Sequence, residues 1–187
     1  MKNEKIKSMK LYNFIDRVYN ELKELGKENS EDLSTKELSS FDQLHYHGTD
    51  AIDYVIQKFQ INSNSKVLEI GSGIGGPSRY IAEKTGAQVI ALELQYDHHD
   101  IGEKLTKRCK LENNLEHICG DFLTYDFGDR NFDCIVSWLA LYHIPNRTKL
   151  LQKSLKLLSS GGYFFAEDFA YHKPFNEQEV HELSSDF

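Results

Sequence analysis

The chain has 187 residues, a length that fits one domain with a full hydrophobic core. Hydrophobic residues make up 40% and charged residues 27%, both ordinary for a soluble globular protein. With 29 acidic against 22 basic side chains the net charge is −7, which supplies no general attraction to phosphate backbones and makes nucleic acid a poor partner.

Three cysteines, Cys109, Cys119 and Cys134, form no CxxC pair, so reduced thiols and a cytoplasmic location are expected. The opening MKNEKIKSMK is too polar for a secretory signal, and no apolar run approaches the roughly 18 residues of a membrane span.

Leu11, Phe14, Ile15, Val18, Tyr19, Leu22 and Leu25 recur at helical spacing, and Gly26 comes next as a stop signal. Ser34 with Glu37 has the form of a capping box, which predicts a short helix after Ser34. His45-Tyr46-His47-Gly48 is a break, and Thr49 reads as the N-cap of a helix carrying Ile52, Val55, Ile56 and Phe59 on one face. Residues 1–60 thus read as a helical extension, or lid, packed on the remainder of the chain. The pattern changes at Lys66. Val67-Leu68-Glu69-Ile70 is a short apolar run ending in a glycine-rich turn. A second strand is expected over Gln88–Leu92, a helix from Asp97 to about Glu112, a third strand over Glu116–Cys119 and a fourth over Phe132–Ser137. A helix through Leu150, Leu151, Leu155 and Leu158 should end at Gly161-Gly162, before a fifth strand over Tyr163–Phe169. Asn176–Ser185 has an N-cap residue and an acidic first turn and reads as a last helix. Strands separated by helices imply parallel pairing and a doubly wound α/β sheet over residues 61–187.

The most informative stretch is Val67-Leu68-Glu69-Ile70-Gly71-Ser72-Gly73-Ile74-Gly75-Gly76-Pro77. Four glycines in six positions let the backbone turn sharply and approach a ligand closely. Pro77 suits the first turn of the next helix. Gly71, Gly73 and Gly76 also satisfy GxGxxG, the dinucleotide pattern, so the choice lies between a nicotinamide dinucleotide and S-adenosylmethionine. Glu69, read as lying at the mouth of the site, suits a cationic ligand better than a pyrophosphate. Glu93, at the end of the second strand and just before Leu94, lies 22 positions after Gly71. That is the offset at which a carboxylate accepts hydrogen bonds from ribose hydroxyls, which both ligands carry.

The segment VLEIGSGIGGPSRYIA resembles the first motif of class I S-adenosylmethionine-dependent methyltransferases. Its GIGGP form is similar to the branch of sterol, tocopherol, phosphoethanolamine and sarcosine or dimethylglycine methyltransferases. Three further segments fall in that family's order. Gly120-Asp121-Phe122 comes after the third strand; the resemblance implies that Asp121 bonds the adenine amino group and Phe122 stacks on the ring. Phe132-Asp133-Cys134-Ile135-Val136-Ser137-Trp138 resembles the fourth-strand motif, placing Ser137 and Trp138 under the cofactor's methionine part. Leu157-Leu158-Ser159-Ser160-Gly161-Gly162 resembles the turn into the fifth strand, with Ser where Pro is usual. The resemblance implies a Rossmann-like, mainly parallel sheet of order 3-2-1-4-5, S-adenosyl-L-methionine as cofactor and a small-molecule methyl acceptor. In the family two more strands come after the fifth. Here the chain reaches Phe187 after one further helical stretch. A C-terminally truncated sheet is therefore expected, with an exposed fifth-strand edge open to self-association.

Methyl transfer from a sulfonium chiefly needs alignment, and an amine acceptor must be neutral to react. Tyr142 and His143, beyond the fourth strand, and Tyr46, with His45 and His47 in the N-terminal extension, are the candidates for the acceptor side. N-methylation of a small amine is expected, with C-methylation of a lipid-like molecule, or a cofactor-binding module inactive alone, as alternatives. Neither His45-x-His47 nor His98-His99-Asp100 completes a ligand set, so no metal is expected.

Overall fold

Strands buried on both faces must be apolar along their length, and this chain supplies such runs three times, at Val67–Ile70, Val89–Leu92 and Cys134–Val136. A computed structural model of the chain describes residues 15–28 and 32–170. In it β1 (Lys66–Ile70), β2 (Gln88–Glu93), β3 (Leu115–Cys119), β4 (Phe132–Trp138) and β5 (Leu158–Glu167) form one parallel sheet in the order β3-β2-β1-β4-β5. The order reverses between β1 and β4, and at such a switch point the carboxyl ends of the strands open a crevice.

Helices α1 (Ile15–Glu24), α2 (Thr35–Leu38), α3 (Gly48–Phe59), α4 (Gly76–Thr85), α5 (Tyr96–Arg108) and α6 (Arg147–Leu157) surround the sheet. On one face Ile52 and Val55 of α3 and Ile81 of α4 pack on Val67, Val89 and Val136. On the other, Leu150 and Leu157 of α6 pack with Leu68, Ile70, Ile90 and Ile135. The N-terminal extension divides between two supports. Only α3 joins the sheet's own core; α1 and α2 place Val18, Leu22 and Leu38 against Ile74 of the glycine loop and Ile101 and Leu105 of α5. Among the described residues no helix is long and apolar enough to cross a membrane.

The Ser34–Glu37 capping box forms as expected, and Gly26 ends α1 in the left-handed region. Elsewhere local geometry departs from expectation. Thr49 does not cap α3: His47 and Gly48 both turn left-handed, at φ 62° and 49°, and His47 is the N-cap, so the helix begins two residues earlier than a Thr49 cap implies. α5 stops at Arg108, because Lys110 turns left-handed at φ 58°. Gly161-Gly162 does not end α6. The chain is extended from Leu158, with Leu158 opposite Phe132 and Tyr163 opposite Cys134, so the two glycines belong to a bulge inside β5. The buried stripe of α6 is Leu150, Ser154 and Leu157; Leu151 and Leu155, also in the expected helix, are exposed. Among the described residues β5 pairs with β4 alone. Leu11, Phe14 and the helix expected over Asn176–Ser185 lie outside the described residues.

Candidate functional site

A cavity of about 350 Å³ opens at the carboxyl ends of β1, β2 and β4, at the switch point of the sheet. Its floor is the glycine loop, with Gly71 and Gly73. One side carries Glu93, Leu94 and Gln95 from the end of β2, then Gly120, Asp121 and Phe122 from beyond β3. The opposite side is largely apolar and aromatic: Leu44, Trp138, Leu139, Ala140, Tyr142, His143, Ile144 and Phe169.

The loop is held open by specific bonds. Gly71 and Ser72 donate their N–H groups to the Leu92 carbonyl at 2.9 and 3.1 Å. Gly71 has φ 73°, and a Cβ there would stand 2.3 Å from the Ala140 Cβ, so both its backbone angle and its neighbour require glycine. Gly73 donates to Glu93 Oε2 at 2.8 Å, and Gln95 N–H donates to Glu93 Oε1 at 2.8 Å. Burial raises the Glu93 pKa, and these N–H groups oppose the rise. Asp121 is set by an Asx turn, its Oδ1 accepting the Leu123 N–H at 2.9 Å. Phe122 is buried, with its ring 6.2 Å from Phe127.

Three residues expected from the sequence to contact the cofactor lie behind the cavity wall. Glu69 is not at the mouth. It points to the face covered by α4, where it is 1% exposed, takes a hydrogen bond from the Ser78 hydroxyl, and is pushed up by burial to a pKa of about 8. Ser137 is fully buried and donates to the Ile70 carbonyl at 2.8 Å, tying β4 to β1. Gly75 makes room for another side chain: a Cβ there would meet His117 Cε1 at 2.7 Å. Beneath the loop Arg79 is wholly buried, paired with Asp42 at 3.0 Å and donating to the Gly102 carbonyl. This pair bolts the N-terminal extension to α4, directly after the glycine loop.

The aromatic side is built from three segments. His45 lies on Trp138 with ring centroids 4.7 Å apart. Tyr142 and Tyr46 meet Phe169 edge-on, at 5.3 and 6.4 Å. Tyr46 is exposed and does not line the cavity, nor does His47. His143 lies against the Tyr142 ring at 3.8 Å; burial lowers its pKa, and Asp168 opposes that shift. His98 lines the cavity, whereas His99 and Asp100 do not. Among the described residues no three His, Cys, Asp or Glu side chains gather as a metal site. Leu44, Gln95, Ala140 and Phe169 also line the cavity without having been singled out; only the strand end at Phe169 carried a signal.

The family model for methyltransferase domains matches residues 67–162, from the first residue of the β1 apolar run through the bulge of β5. The chain belongs to the methyltransferase domain family. Across 124 residues it is 35% identical to phosphoethanolamine N-methyltransferase of Plasmodium falciparum, covering 65% of this chain and 46% of that protein. It is 32% identical over 111 residues to sterol 24-C-methyltransferase of Debaryomyces hansenii, covering 59% of this chain and 29% of that protein. The chain therefore spans less than half the length of these relatives. A solved structure of Haemonchus contortus phosphoethanolamine N-methyltransferase 2, in complex with phosphomonomethylethanolamine and S-adenosylhomocysteine, superposes with a TM-score of 0.70. That likeness, at 21% identity, covers 78% of this chain and 34% of the other and shows a shared fold.

Proposed function

We propose that this methyltransferase domain binds S-adenosylmethionine in the switch-point cavity and methylates a small amine. The observation that carries the reading is Glu93. Its carboxylate stands at the lip of the cavity, fixed by N–H groups of Gly73 and Gln95, where ribose hydroxyls need a partner. The donor set fits the rest of the cofactor. Asp121 and Phe122 stand beside Glu93 for the adenine, and Gly71 and Gly73 of the glycine loop line the cavity where the methionine part would lie.

Bound S-adenosylmethionine would supply a methyl group already activated on a sulfonium. The protein's share is then to orient the acceptor, exclude water and hold its nitrogen unprotonated. A His143 ring nitrogen is the proton acceptor in this reading: burial keeps the imidazole neutral and ready to take a proton. Tyr142 places His143 by ring contact, and Tyr46 reaches the acceptor side through Phe169. Residues 1–60 act as a lid and residues 61–187 as the cofactor domain.

A second reading, C-methylation of a lipid-like molecule, draws on the apolar wall of Leu44, Trp138, Ile144 and Phe169. Self-association through the outer edge of β5 is part of the proposal, and light scattering of the purified chain reads it directly. The deciding experiment is methyl transfer from labelled S-adenosylmethionine to phosphoethanolamine, sarcosine and dimethylglycine, with a sterol in parallel. Label in an amine supports the first reading, label in the sterol the second, and label in neither leaves a binding module without activity of its own.

A further inference from the structure

Glu167, the last residue of β5, joins three segments that are far apart in sequence. Its carbonyl accepts the Leu139 N–H at 2.8 Å, fixing the turn after β4. Its carboxylate accepts the Tyr46 N–H at 2.9 Å and lies 3.9 Å from His45 Nδ1. Through those contacts His45 is held on Trp138, and Tyr46 beside Phe169. The segment concerned, residues 43–47, runs between α2 and α3 and pairs with no strand among the described residues. Yet Leu44 from this segment lines the cavity, and the His45 side chain is 1% exposed. Glu167 does not itself line the cavity. An N–H donated to a carboxylate is among the stronger single bonds available to such a segment.

We propose that Glu167 is a positioning residue whose carboxylate latches residues 44–47 against the ends of β4 and β5 and keeps that segment closed over the cavity. The consequence for cofactor exchange rests on the function proposed above; the latch itself does not. The segment has no regular secondary structure to define its position. Its ties to the strand ends are the carboxylate bond and two ring contacts, His45 on Trp138 and Tyr46 on Phe169; within the segment the His45 ring also bonds the Gln43 side chain at 3.1 Å and the Tyr46 carbonyl at 3.0 Å, so His45 and Tyr46 move together. Loss of the bond frees the backbone of Tyr46, and His45 leaves the indole with it.

Trp138 is the chain's single tryptophan, so its emission reports the latch without any ligand. The variants are Glu167→Ala, Glu167→Asp and Glu167→Gln. The aspartate carboxylate is one methylene short of the Tyr46 N–H, whereas the glutamine amide oxygen still accepts it. Acrylamide quenching of Trp138 should rise severalfold in the alanine and aspartate variants and much less in the glutamine variant, whose neutral amide keeps the bond without its charge assistance. Dissociation of S-adenosylhomocysteine, measured by stopped flow, should quicken by about tenfold in the same two variants, the scale expected for a lost charge-assisted hydrogen bond. If Glu167→Ala does not fold by circular dichroism, Glu167→Asp carries the same test. Unchanged quenching in whichever of these folds, or an equal rise in Glu167→Gln, overturns the latch. Failure of the parent chain to bind S-adenosylhomocysteine would instead reject the function proposed above, and the quenching series would still decide the latch.

Discussion

The carboxylate of Glu93 accepts the Gly73 N–H at 2.8 Å, so the residue expected to hold the ribose also holds the glycine loop. Glu93→Ala removes both. Charge-assisted hydrogen bonds contribute about 1.5–3 kcal/mol each, so affinity for S-adenosylhomocysteine should fall at least tenfold. Calorimetry on the folded variant checks this, and affinity equal to the parent's would take Glu93 out of the site.

Arg79 and Asp42 form an ion pair in which the side chains are 0% and 2% exposed. Breaking a buried pair from one side leaves a charge without compensation, at a cost of about 3–5 kcal/mol. Lys84 and Asp53 provide the contrast, with side chains 45% and 41% exposed and a contribution of about 1 kcal/mol or less. Urea unfolding should therefore show a much lower midpoint for Asp42→Ala than for Asp53→Ala. Equal midpoints would mean that the bolt between the extension and α4 carries no stability.

Glu69 ties stability to pH. Burial raises its folded pKa from 4.5 to about 8, so between those values the folded state holds a proton that the unfolded state has released. Its contribution is complete below about pH 4.5 and declines, by at most about 1.4 kcal/mol per pH unit, until it levels off near pH 8. Glu69→Gln keeps an amide beside Ser78 and does not titrate. Relative to the parent, this variant should gain stability from pH 5 to pH 8 in denaturant titrations. A parent and variant that keep a constant difference across that range would show that Glu69 is ionised in the fold.

Much of the architecture was legible in the residues because parallel strands buried on both faces leave continuous apolar runs, as at Val89–Leu92. Loops that must turn left-handed leave glycines. The failures share a different cause. Glu69 lies one residue inside the end of β1, and that single step decides whether a side chain faces the cavity or α4. Ala140 reaches the site by its approach to Gly71, a contact between segments about seventy residues apart that leaves no local trace. Leu151 and Leu155 stand in the expected helix beside Leu150, and the pattern did not say that α6 turns Leu150 and Leu157 inward. Helical spacing alone does not say which of two apolar stripes is buried.

His143 carries the activity prediction. If it accepts the acceptor's proton, turnover needs the neutral imidazole, so activity rises as pH rises through its pKa. Burial places that pKa below the ordinary 6.5. The acid limb of the kcat/KM profile should therefore lie below pH 6.5, and His143→Ala should remove that limb with a loss of about 10²–10⁴ in kcat. An unchanged acid limb in the variant would assign the proton to another group.

In the function proposed above, the switch-point cavity of this methyltransferase domain takes S-adenosylmethionine and not a dinucleotide. The measurement that addresses it most directly is calorimetric titration of the purified chain with S-adenosylhomocysteine and, separately, with NAD. Saturable one-to-one binding of S-adenosylhomocysteine, weakened in Glu93→Ala and accompanied by no binding of NAD, is the predicted result. Saturable binding of NAD with no heat from S-adenosylhomocysteine would contradict the account.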